Sequence, residues 1–190
     1  MNLFEIGHSL ARQFGPENWT LYRGCHLLNF LDNHDVTRIA SILQNPKHLP
    51  VAYGLLFGMP GVPAIYYGSE WGIEGKKGPY DLELRPAVET PVHNELTDWI
   101  YSLSEARRKS RALCEGDFKN IVLTNRQIIF QREVPGERVL VAVNADEVPY
   151  VAHFDAKCGM AEDLITGKPH DFGGGSELPP YSVAFWKMER

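Results

Sequence analysis

The chain has 190 residues, a net charge of −5 and 44% hydrophobic content, which suits one globular domain or two small ones. An acidic balance argues against nucleic acid and anionic membrane as partners, since both call for a basic patch. Cys25, Cys114 and Cys158 are odd in number and widely spaced; that suits a reducing compartment better than a disulfide framework. With no charged-then-apolar leader and no bilayer-length apolar run, the expected location is cytoplasmic.

In chain order, Leu3–Phe14 carries apolar residues at 3, 4, 6, 10, 11 and 14, one helical face, and Gly15-Pro16 breaks it. A loop over 17–24 leads to an apolar strand at about 26–31. Val36–Leu43 reads as a short helix, stopped near Asn45-Pro46. Leu49–Met59 is an apolar helix ended by Pro60-Gly61-Val62-Pro63, and a second strand, Ala64–Gly68, follows. Gly72 to Pro86 is a long Gly/Pro-punctuated loop, and long loops after strands of α/β units are where function concentrates. Residues 92–114 form the strongest helical pattern, with Leu96, Trp99, Ile100, Leu103 and Ala106 on one face, cations late in it and Gly116 as its stop.

From about 118 the pattern changes to short β runs: Ile121–Thr124, Gln127–Glu133, Arg138–Asn144, Tyr150–Phe154 and Tyr181–Lys187. Pro135-Gly136 is a tight-turn signal between two of them. The second portion could bury its own core as a small sandwich. The first offers two parallel strands with their helices, and a parallel sheet needs both faces and both edges covered. Two strand–helix units are expected to be the closing quarter of a (β/α)8 barrel rather than a whole domain. The expected organisation is therefore α/β plus all-β: residues 1–115 as the end of a TIM barrel, and 116–190 as an antiparallel β-sandwich.

The segment His26 to Asp35 is where chemistry is expected. An apolar strand stops at Asn33-His34-Asp35, placing an imidazole and a carboxylate at a strand mouth, the end at which parallel α/β folds carry catalytic groups.

Phe30-Leu-Asp-Asn-His-Asp-Val-Thr-Arg38 resembles the fourth signature region of the α-amylase family of glycoside hydrolases, which ends the seventh barrel strand. Gly58-Met-Pro-Gly-Val-Pro-Ala-Ile-Tyr-Tyr-Gly68 resembles the eighth strand and its approach. Asp81 and Arg85, followed by Pro86, match a sugar-contacting pair in the loop after it. Leu113–Gly116 resembles the end of the last barrel helix, and Asp163-Leu-Ile-Thr-Gly167 a recurring piece of the C-terminal β-sandwich. The wording is most similar to the maltodextrin-acting branch, neopullulanase-like and cyclomaltodextrinase-like.

The resemblance implies a part in retaining cleavage of α-glucosidic bonds in starch or maltodextrin. That reaction needs a carboxylate nucleophile and a carboxylic acid about 5–5.5 Å apart; the family adds a third carboxylate that holds the sugar's hydroxyls as charge develops at the anomeric carbon. By resemblance Asp35 is that third carboxylate, His34 donates to the same ring, and Asp81 and Arg85 grip other hydroxyls. No metal ligand and no cofactor is expected. The nucleophile and acid/base end the fourth and fifth strands in the family, whereas 25 residues precede the strand at 26 and hold no Arg-x-Asp after an apolar run. The chain alone is thus expected to be inactive, with an α-glucan or maltooligosaccharide, the preceding part of the barrel and, through exposed strand edges, itself as partners. Ser69 stands where the family often has Asp, a departure expected to bear on loop packing.

Each residue has a plainer reading. Asp35 could cap the helix expected from Val36, His34 could be an ordinary loop histidine, and Asp81 and Arg85 a surface pair of small energetic weight. Glu70 could pair with Asp35 as an improvised acid and nucleophile, though a structural carboxylate bonding loop backbone is preferred. Trp71 and Tyr80 could stack on sugar or simply pack. Two other classes stand as alternatives: a non-catalytic remnant that binds glucan or docks on another polypeptide, and, with less support, a metal-dependent His-Asp hydrolase, whose helical ligand spacing is missing here.

Overall fold

A computed structural model describes residues 1–189, the side chains of Asp81 and Glu189 excepted. Helix α1, Leu3–Phe14, has the expected bounds; Asn2 caps it by accepting the Glu5 N–H, and its apolar face buries Leu3, Leu10 and Phe14.

Strands β1 (Leu28–Asn29) and β2 (Val62–Pro63) run parallel, pairing Leu28 with Val62 and Asn29 with Pro63. The strand expected over 26–31 is thus cut to two residues, and none of 64–68 is strand: the second strand lies just before that range, at Val62–Pro63. The ladder is extended by Val62 N–H to Leu27 O at 2.8 Å and Ala64 N–H to Asn29 O at 2.8 Å. Each strand has one neighbour among the described residues, so nothing holds the backbone extended past the point where the pair diverges. Gly61 makes the close approach possible: φ is +99°, and a Cβ there would lie 2.3 Å from Asn29 Nδ2. No closed barrel forms among the described residues, and most pairing is antiparallel.

Between the strands lie α2 (Ile39–Ile42) and α3 (His48–Gly58). The single helix expected over 92–114 is two, α4 (Glu95–Arg108) and α5 (Arg111–Glu115). Ser110 makes the break by capping α5, its hydroxyl accepting the Leu113 N–H at 3.0 Å. Asn94 and Thr97 form a reciprocal cap at the start of α4.

The remaining strands are β3 (Asp117–Leu123), β4 (Gln127–Val134), β5 (Glu137–Asn144), β6 (Tyr150–Ala152), β7 (Met160–Asp163), β8 (Pro169–Asp171), β9 (Ser176–Leu178) and β10 (Ser182–Glu189). Six form an antiparallel sheet in the order β3-β4-β5-β10-β7-β8, and β6 pairs with β9. Alternation sorts the faces: Ile128, Phe130, Val139, Val141, Val143 and Phe185 pack with the helices, while Ile129, Leu140, Ala142, Trp186 and Met188 pack with Ala152 and Leu178 of the small sheet. The helical core and one face of the sheet are one cluster. Asp163, opening the Asp163–Gly167 turn, accepts from Ile165 N–H, Thr166 Oγ1 and Phe185 N–H, which fastens that turn to β10.

Two buried arginines complete the join. Arg107 donates to the carbonyls of Phe57, Met59 and Gly61, and Arg132 to those of Gly58 and Gly116. Both satisfy carbonyls at the C-terminal end of α3, where a cation is favoured. No helix is long and apolar enough to cross a membrane among the described residues.

Candidate functional site

The mouth of the parallel pair is built from the loop after β1. Asp32 and Asp35, three residues apart in that loop, have opposite fates. Asp32 is buried at 2% exposure. Its Oδ2 accepts the Ile39 N–H at 2.8 Å and its Oδ1 accepts the Ser69 hydroxyl at 2.6 Å. The first N–H of α2 is therefore held by Asp32 from outside the helix, whose N-cap is Arg38, and the helix starts at Ile39 rather than Val36; Asp35 is not its capping carboxylate.

Asp35 faces solvent instead, its backbone N–H held by Asn33 Oδ1 at 2.8 Å. Its Oδ1 accepts from Arg85 Nη2 at 3.2 Å and its Oδ2 lies 3.1 Å from His34 Nε2. Arg85 Nε also donates to the His34 carbonyl at 3.4 Å. The structure thus brings three of the four expected site residues together, Arg85 arriving from 50 residues away. Asp81 lies in a short 3-10 turn, Asp81–Glu83, four residues before Arg85; its side chain is outside the described residues. The side chains of His34, Asp35 and Arg85 are 50%, 59% and 48% exposed, and ion pairs so wet contribute about 0–1 kcal/mol. Stability is a poor reason for their convergence; a carboxylate flanked by two donors is suited to accepting hydroxyl hydrogen bonds from a polar ligand.

Behind this trio is a buried polar layer that the sequence reading missed. Arg38, with no exposure, donates to Tyr67 O at 2.9 Å, Ser69 Oγ at 3.0 Å and Leu84 O at 2.8 Å. Its guanidinium lies 4.2 Å from the centroid of Tyr66, whose ring is 6.1 Å from that of His34. Tyr53 donates to Ser69 O at 3.0 Å, and burial, then the Asp32 carboxylate, push its phenol well above the ordinary range. Ser69 therefore bears on packing as expected, as the point where Asp32, Arg38 and Tyr53 meet. A charged residue closing a polar motif reads as exposed, and only the run of polar residues after an apolar strand hinted otherwise.

Among the described residues no hydrogen bond or ion pair joins Glu70 to Asp35. Nor, among the described residues, does Glu70 bond loop backbone through its carboxylate: its Oε2 is buried without a hydrogen-bond partner, while its carbonyl accepts from Thr97 Oγ1 at 3.1 Å. Trp71 lines a groove with Pro46, Leu49, Leu96 and Trp99, away from the trio; Tyr80 is 78% exposed. Among the described residues no three His, Cys, Asp or Glu side chains converge as a metal site.

A family model described as the α-amylase catalytic domain matches residues 14–125. A cyclomaltodextrin glucanotransferase of Geobacillus stearothermophilus is 30% identical over 117 residues, 62% of this chain and 16% of that protein. A cyclomaltodextrinase of a Bacillus species is 30% identical over 124 residues, 64% of this chain and 22% of that protein, in keeping with the maltodextrin-acting branch that the sequence resembles. Among solved structures, an Anoxybacillus α-amylase superposes with a TM-score of 0.79 at 22% identity, over 98% of this chain and 46% of that one. The chain spans less than a quarter of the length of these two curated relatives.

Proposed function

The chain belongs to the α-amylase catalytic-domain family, and from that premise we propose that it is the closing part of a retaining, α-glucan-acting glycoside hydrolase. In this reading residues 1–115 are the last two strand–helix units of a TIM barrel and 116–190 its C-terminal sandwich. Asp35 stabilises the cation-like transition state, while His34, Arg85 and Asp81 hold the hydroxyls of the same sugar. The observation that carries the reading is the trio itself: Asp35 with Arg85 at 3.2 Å and His34 at 3.1 Å, beyond the end of a parallel strand pair.

Hydroxyl–carboxylate bonds aligned in advance strengthen as positive charge grows on the ring, and that difference, not ground-state binding, lowers a barrier. The chemistry also requires a nucleophile and an acid about 5–5.5 Å apart. Glu70, the obvious local candidate for an improvised partner, shares no hydrogen bond or ion pair with Asp35 among the described residues, and its Oε2 is buried. In this reading the nucleophile and the acid belong to the rest of the barrel, and the chain by itself grips glucan without cleaving it. The test is release of reducing sugar from maltotriose and pullulan by the purified chain: none is expected, and steady release abolished by Asp35→Asn would falsify the reading.

A second reading, a module that docks on another polypeptide, draws on a different observation. Leu28 and Val62, on the two short strands, are 65% and 48% exposed, and each strand has an unpaired edge among the described residues, the arrangement that invites pairing.

A further inference from the structure

Arg38 is buried in a way that stability alone does not explain. It has no exposure, yet among the described residues no carboxylate bonds its guanidinium: it reaches Asp32 through the Ser69 hydroxyl, and its Nε is buried without a hydrogen-bond partner there. A buried charge without a direct counterion is a poor stabiliser, because desolvation costs several kcal/mol per ion. What its bonds do is join segments. Its backbone N–H donates to Gly75 O at 2.9 Å; its side chain reaches Tyr67 and Ser69 after β2, and Leu84 in the loop that carries Arg85.

The two neighbours of Asp35 each lead back to it. Leu84, itself fully buried, is held by its carbonyl at 2.8 Å from Arg38 Nη2, and the next residue is Arg85. On the other side, the guanidinium lies against the Tyr66 ring, beside which His34 sits. Arg38 follows Asp35 by three residues, so the same short loop carries the carboxylate and the brace for both of its partners.

We propose that Arg38 is the positioning residue of the sugar-contact cluster, fixing Arg85 through the Leu84 carbonyl and His34 through the Tyr66 ring. The inference rests on the glucan reading above for its consequence, but its geometry can be tested without sugar. The planar fork is what the role requires: a lysine ammonium carries the charge but cannot span the Tyr67, Ser69 and Leu84 acceptors in one plane or stack on a ring in the same way.

Two measurements on the full chain decide it. In Arg38→Lys, amide hydrogen exchange is expected to quicken over residues 82–85 and 34–37 while β4 and β5 keep their protection. Maltotriose affinity by calorimetry is expected to fall roughly tenfold, the loss of one charge-assisted hydrogen bond. Combined with Arg85→Ala, the double variant is expected to fall well short of the product of the two single effects, because part of Arg38's contribution passes through Arg85. Merely structural loosening would multiply the effects instead. Should Arg38→Lys fail to fold, Ser69→Ala removes one of the three acceptors and is expected to produce smaller changes at the same places. Unchanged exchange at 82–85, or effects that multiply, overturns the assignment. If the unmodified chain shows no heat with maltotriose, the glucan reading falls, and the exchange comparison still decides whether Arg38 braces the loop.

Discussion

The hydroxyl of Ser69 donates to the Asp32 carboxylate at 2.6 Å and accepts from Arg38 at 3.0 Å, so a buried acid and a buried base meet through a neutral group. Both flank the same mouth, one from the loop after β1 and the other three residues beyond Asp35. Ser69→Ala removes the bridge and leaves Asp32 Oδ1 without its donor inside the protein. A loss of about 1–3 kcal/mol is expected, read as a lower urea midpoint at unchanged slope; a midpoint equal to that of the unmodified chain would show that water replaces the hydroxyl.

The seating of α3 on the sheet leaves no room for a methyl group. A Cβ on Gly58 would lie 2.7 Å from Val141 Cγ1 and 3.3 Å from Phe130 Cζ, and both residues are fully buried. Alanine is the better helix former by about 1 kcal/mol, but overpacking costs about 1–3 kcal/mol, and neither neighbour can swing into solvent. Gly58→Ala is expected to lower the thermal midpoint. A raised midpoint would mean that α3 can shift away from β5 at small cost.

How far the sequence reveals this arrangement depends on what each signal measures. Leu3–Phe14 is legible to the residue because its apolar stripe and its Gly15-Pro16 break agree. The strand at 26–31 is legible as apolar but not in extent, since length is set by pairing partners that an apolar run does not reveal. Helical periodicity carries through Lys109 and Ser110, hiding a break made by one serine hydroxyl. Strands β7, β8 and β9 escape because three or four residues among glycines and prolines give too few alternations to count. At the site, the wording around Asp35 and Arg85 is readable, and the fold brings the two side chains together. Arg38, Asp32 and Ser69 are not readable as a unit, because polarity in sequence signals exposure by default and only the fold shows that they are inside.

Stability should depend on pH through His170. The ring stacks on Trp186 with centroids 3.9 Å apart, and its Nε2 lies 2.9 Å from Ser176 Oγ. Burial lowers its pKa from the ordinary 6.5, against the opposing pull of Asp163 and Asp171. The folded protein therefore binds this proton less readily than the unfolded chain does. Stability is fully present above the unfolded value of about 6.5 and declines as pH falls below it toward the lower folded value. His170→Phe, which keeps an aromatic ring on Trp186 but cannot titrate, is expected to flatten the profile between pH 8 and 5; an identical slope in both proteins would assign the acid sensitivity elsewhere.

The short parallel pair presents Leu28 at 65% exposure and Val62 at 48% on strands with unpaired edges, a surface that seeks partners. The isolated chain is expected to associate reversibly, its sedimentation coefficient rising with concentration. Leu28→Lys should shift it toward monomer, because a lysine discourages edge-to-edge pairing. A sharp monomer boundary at every concentration would contradict this.

The central claim is that Asp35, flanked by His34 and Arg85, is built to hold a sugar. Calorimetric titration of maltotriose into the unmodified chain and into Asp35→Asn tests it most directly. The expected result is saturable heat at one site with millimolar affinity, lost in Asp35→Asn while the folded fraction stays unchanged. No heat from the unmodified chain at millimolar sugar, or equal binding by both proteins, would contradict it.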